Sequence, residues 1–149
     1  SFFVAHMYYW GDIHLQNFGE KRGSQISPVK DAIDYGMKYT FHQDTPVIPP
    51  DMMRTISSAV NRISRGGRVI GENQKISVLD ALKAVTIYAA YQYFEEHEKG
   101  SIECGKYADF VVLEKNPLKT PKEELAEIKV WMTIKENEVI YRSGEANHE

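Results

Sequence analysis

The sequence predicts an α/β fold. Three observations carry that expectation: a strand–loop–helix–strand order in the first 44 residues, two amphipathic helical stretches after it, and short β-rich runs towards the C-terminus. A chain of 149 residues is long enough for a domain that buries about 70% of its unfolded surface.

The opening run "FFVAHM" reads as a short buried strand, with β-branched Val4 behind two aromatics. "YYWGDIHLQNFGEKRGSQ" then reads as a long loop. Its glycines argue against regular structure and its aromatics against disorder, which leaves a functional loop. "SPVKDAIDYG" carries the marks of a helix, with Ser27 as N-cap, Pro28 in the first turn and Gly36 as the stop. "KYTFH" follows as a strand, completing a βαβ unit with parallel strands and a right-handed crossover.

Asp51 caps the next predicted helix, "DMMRTISSAVNRISRG", whose Met53, Ile56, Val60 and Ile63 recur every three or four residues. "SVLDALKAVTIYAAYQYF" predicts one more helix, with Ser77 and Asp80 in capping-box spacing and Leu79, Leu82, Val85, Ala89 and Tyr93 on its apolar face. The texture changes near Lys99. "YADFVVLEKNP" reads as a strand, "PKEELAEI" as a short helix, and "KVWMTIKENEVIYR" as a hairpin turning at Glu136 and Asn137. The expected division is 1–98 and 99–149, with no internal repeat.

Composition excludes several classes. A net charge of -3 without a Lys/Arg cluster gives no footprint for nucleic acid. No apolar run reaches the roughly 18 residues of a membrane span, and no signal-peptide pattern opens the chain. The single cysteine, Cys104, cannot form an internal disulfide, which agrees with a reducing, cytoplasmic setting.

The stretch "YTFHQDTPVIPPD" concentrates the chemistry. Side chains alternate along a strand, so Thr40, His42 and Asp44 share a polar face opposite Tyr39, Phe41 and Gln43. Pro46, Pro49 and Pro50 then forbid continuation of the strand. In barrels of parallel strands the active site gathers at the C-terminal strand ends, where Asp44 falls. The bland reading stands beside it: Asp44 caps a turn and His42 is a satisfied core histidine.

"SFFVAHMYYWGDIH", "ISPVKDAIDYGMKYTFHQDTPVIPPD", "AVNRISRGG", "ALKAVTIYAAYQYFEE" and "KGSIECGKYADFVVLEKNPL" follow one another in the order found at the C-terminal end of the amidohydrolase superfamily. The chain resembles family 3 of that superfamily, in the branch related to N-substituted formamide deformylases. The resemblance implies a TIM-type (β/α)8 barrel with a small β-sandwich, "FFVAH" as strand seven, "KYTFH" as strand eight, and residues 99–149 as part of the sandwich. It implies that Asp44 is the strand-eight aspartate, both metal-associated and catalytic. His42, His6, Tyr9 and Trp10 become candidates for contact with a small amide-like substrate.

The same resemblance implies a divalent metal, zinc, in a complete parent hydrolase. The family's His-x-His, its bridging Lys or Glu and its further histidines would precede Ser1, and no His-x-His occurs in this chain. One carboxylate falls short of the three protein ligands of a catalytic zinc. The expectation is therefore a C-terminal fragment, itself inactive and metal-free, that stays with the missing N-terminal portion or self-associates. Whether the chain alone is an enzyme is open, and a non-catalytic binding or interaction domain is the competing class. His6, Asp12 and His14 form a weaker alternative metal set. "SRGGR" follows a helix rather than a strand, which argues against a phosphate cradle, and Cys104 has no partner that would make it a nucleophile.

Overall fold

The computed structural model describes residues 1–144. Among these the α-helices end at Gln92, and the three-stranded sheet begins at Phe110.

The first predicted strand is cut short. Residues 4 and 5 turn, and helix α1 runs His6–Gly23 through the stretch expected to be a loop. Met7, Gly11 and Leu15 are buried at i, i+4 and i+8, one face of a helix. Gly11, read as a loop signal, is a packing glycine: a Cβ there would overlap Ile70 Cδ1. The helical path breaks only at Gly19 (φ 74°).

What survives of the parallel pair is one bridge. Phe2 faces Phe41 in parallel sense, with Phe2 N–H donating to Thr40 O at 2.8 Å and His42 N–H to Phe2 O at 3.2 Å. Between them lies α2, Val29–Asp34, stopped as expected by Gly36 (φ 68°). Ser27 is not its N-cap. Ser27 takes φ 47° and its hydroxyl lies 3.4 Å from Phe3 O, while Pro28 occupies the cap position.

Helix α3, Met52–Asn61, begins as the sequence indicates, with Asp51 Oδ1 accepting from Arg54 N–H at 2.9 Å. Met53, Ile56 and Val60 are buried. Ile63 falls outside the helix and is exposed, because left-handed Arg62 (φ 54°) ends it. The next predicted helix is two: α4, Val78–Ala84, and α5, Ile87–Gln92, separated at Thr86 (φ -127°, ψ -99°). Ser77 caps α4, accepting from Asp80 N–H at 3.1 Å. Leu79 and Tyr93 are exposed, and the buried residues of these two helices are Ala81, Ala84 and Ala90.

Strands β1 (Phe110–Leu113), β2 (Val130–Lys135) and β3 (Glu138–Arg142) form an antiparallel sheet in that order. Glu136 and Asn137 turn the hairpin with φ 50° and 69°, both left-handed as a type I′ turn requires. The 3-10 helix Lys122–Glu127 packs on α3 and buries Leu125 against the core of Val4, Met7, Phe41, Ile56 and Val60.

Candidate functional site

The parallel bridge places two chain ends side by side. Beyond Phe2 come Phe3 and α1; beyond Phe41 come His42 and Asp44. Phe3 joins them: its ring stacks on His6 at 5.1 Å and lies 5.4 Å from His42. Trp10 completes the cluster, 4.9 Å from His6 and 6.2 Å from Phe3, and Tyr9 packs against Trp10 at 5.4 Å. Four candidate residues, His6, Tyr9, Trp10 and His42, thus share one aromatic surface.

Neither imidazole is isolated. His42 Nδ1 lies 2.6 Å from Ser1 Oγ, and His6 Nδ1 lies 3.1 Å from His14 Nε2. Partial burial lowers the His6 pKa below its ordinary value, and the neighbouring His14 lowers it further. Phe3 and Ser1 are the residues that sequence reading missed. In the sequence Phe3 reads only as part of a buried strand, and nothing local signals that its ring bridges two histidines 36 positions apart in number.

Asp44 sits two residues beyond His42. Its left-handed backbone (φ 56°) ends the extended segment, a conformation to which aspartate and asparagine are better suited than most residues. The residue is exposed, and its carboxylate has no hydrogen-bond partner among the described residues. No hydrogen bond among the described residues joins the aspartate to the aromatic cluster. Upstream, the expected division into an apolar and a polar face gives way to burial on both sides. Thr40 is buried with its hydroxyl on Gln92, and Gln43 Nε2 donates to Thr55 Oγ1 at 3.1 Å. The cis Thr45–Pro46 peptide follows.

Among the described residues, no three His, Cys, Asp or Glu side chains are grouped to hold a metal. The His6/Asp12/His14 set separates: Asp12 accepts from Gly66 N–H at 3.2 Å, leaving its Oδ1 buried and unpartnered, while the two histidines pair with each other. The residues present do not fit a catalytic metal by themselves.

An exposed carboxylate thus follows, two residues beyond His42, on an imidazole-rich aromatic surface, and comparison with known proteins gives the family. The sequence pattern of the amidohydrolase family matches residues 1–141. The chain belongs to the amidohydrolase family. It is 28% identical over 137 residues to the N-substituted formamide deformylase of Arthrobacter pascens, covering 91% of this chain and 25% of that protein. It is 28% identical over 145 residues to YtcJ, named as an amidohydrolase, of Bacillus subtilis (strain 168), covering 95% and 27%. An amidohydrolase from Thermotoga maritima MSB8 shares the fold, with a TM-score of 0.58 and 22% identity over 76% of this chain and 25% of that one. The chain spans about a quarter of the length of these relatives.

Proposed function

We propose that this chain supplies strands seven and eight of a (β/α)8 hydrolase barrel, and part of a β-sandwich from residue 99 onward, to an enzyme that cleaves a carbon–nitrogen bond in a small amide-like substrate. The observation that carries the reading is the parallel Phe2–Phe41 bridge. It brings the C-terminal ends of both segments together, where active sites of such barrels lie.

In this reading Asp44 is the proton carrier. Water adds through its oxygen to the amide carbon, and the proton it sheds passes to the Asp44 carboxylate. Asp44 then returns that proton to the nitrogen, the C–N bond breaks, and the products are a carboxylic acid and an amine. His42 and His6 offer hydrogen bonds to the substrate, and Tyr9 and Trp10 wall its apolar part. In a complete parent, a divalent metal such as zinc would take its other ligands from outside the described residues, where it would lower the pKa of water.

The test is Asp44→Asn in the full-length protein, assayed on N-substituted formamides suggested by the name of the Arthrobacter relative. Asparagine accepts the left-handed backbone, so the turn is kept while the base is lost. Turnover should fall by about 10²–10⁴, with the circular-dichroism spectrum unchanged. Near-normal turnover would reduce Asp44 to a turn residue. A full-length protein with no hydrolytic activity at all would favour the non-catalytic binding domain.

A further inference from the structure

The pairing of His6 with His14 is a geometry that the proposed hydrolysis does not use. The two rings come from positions two turns apart on α1, and their centroids lie 4.5 Å apart at 54°. The pair spans more than the i, i+4 spacing at which side chains of one helix ordinarily meet, yet the two rings touch. The facing nitrogens, His6 Nδ1 and His14 Nε2, stand 3.1 Å apart.

That spacing matches two ligands on one small cation. With metal–nitrogen bonds of about 2.0–2.1 Å, neighbouring ligands lie about 2.9 Å apart at a right angle and about 3.4 Å apart in a tetrahedron. We propose that His6 and His14 form a two-imidazole site for a borderline transition cation, with Cu2+ preferred over Ni2+ and Zn2+. Imidazole suits all three ions, and the intrinsic affinity order puts Cu2+ first.

The proton balance is simple. In the ion-free pair one facing nitrogen donates its N–H to the lone pair of the other, so the single facing lone pair is taken up by the hydrogen bond. Binding requires the donor ring to move that proton to its own second nitrogen. Whichever ring is the donor, its second nitrogen has no hydrogen-bond partner among the described residues and can take that proton, while the acceptor ring keeps the N–H already on its second nitrogen. No proton is lost when both rings are neutral. Water fills the remaining positions, since Asp12 is turned away to Gly66. Stacking of Phe3 on His6 and of Phe18 on His14 limits the rotation each ring needs.

Trp10 is a built-in reporter, its ring 4.9 Å from that of His6. The chain has only one other tryptophan, Trp131, so a Trp131→Phe background isolates the signal. Chelator-treated chain at neutral pH is titrated with Cu2+ while Trp10 emission is followed. The expected result is saturable quenching at one Cu2+ per chain, reversed by excess Ni2+ or Zn2+ only at higher concentration. His14→Gln should abolish saturation, and His14→Phe should do the same while keeping a ring stacked on Phe18. His97→Gln, on an exposed histidine, should leave the curve unchanged. Unsaturable quenching in the parent background, or a curve unaltered by both His14 variants, overturns the proposal.

Discussion

His6 is held between the Phe3 ring, the Trp10 ring and the second imidazole of His14. Desolvation disfavours its charged form first, and a protonated His14 opposes it further, so its folded-state pKa lies below 6.5. The consequence for stability has a definite sign. Between that lowered value and about 6.5 the unfolded chain binds more protons than the folded one, so stability rises with pH across the window. The contribution is fully present above about 6.5 and is lost as pH falls through the folded pKa. Denaturant midpoints measured from neutral to mildly acid pH should therefore decline for the parent chain. The decline should be shallower in His6→Gln, which has no proton to gain. Equal slopes in the two proteins would show that His6 is no more reluctant to ionise in the folded state than in the unfolded one. At the same scale, Asp44 illustrates what a sequence can signal. The prolines after it signal that extended backbone stops there, and the structure turns at Asp44, but nothing in the sequence signals its left-handed backbone.

Elements governed by local chemistry were the legible ones. Asp51 and Ser77 cap their helices because short polar side chains satisfy the free N–H groups of a first turn. The hairpin turns at Glu136 and Asn137 for an equally local reason. Elements governed by distant partners were not legible. Helix α1 depends on Ile70 lying against Gly11, and the Ser27 cap is displaced where a buried arginine gathers the chain. Arg62 is wholly buried, and burial pushes its pKa down to about 10. It donates to Ile70 O at 2.6 Å, Ser27 O at 3.0 Å, and Ser24 O and Ile26 O at 3.3 and 2.8 Å. One side chain therefore ties the end of α3 to the segment leading into α2. Gly71 closes this arrangement, since at φ 65° its missing Cβ leaves room for Ser24 O. Gly71→Ala should cost about 1–2 kcal/mol for the left-handed backbone and about 1–3 kcal/mol more for the overlap. Gly67→Ala is the control, because φ there is 84° with nothing within 4 Å of the added carbon. Chemical denaturation should separate the two variants, and equal losses would mean that the Ser24 contact yields without cost.

At the scale of the whole molecule, the helices and the sheet are covered unequally. The sheet order β1-β2-β3 leaves an outer edge on β1 and on β3 unpaired among the described residues. Every residue of β3 is exposed, Ile140 by 60%, and Trp131 and Val111 are half exposed on the neighbouring strands. A cavity of about 670 Å³ opens between helices and sheet, lined by Met53, Ile56, Val111, Leu113 and Tyr141. The parallel pair is similarly bare, with one bridge where a closed barrel would have eight paired strands. Unpaired apolar strand edges are templates for another chain, and the relatives contain about four times the length present here. The expected behaviour of the isolated chain is therefore self-association through β1 or β3, suppressed when the rest of a parent protein occupies those edges. Light scattering should show a mass that grows with concentration. Ile140→Lys, which puts a charge on the exposed edge strand, should shift the chain toward monomer. A concentration-independent monomer that unfolds in a single cooperative transition would show that these residues form a self-sufficient fold, and the assignment of the N-terminal segments to barrel strands would fall with it.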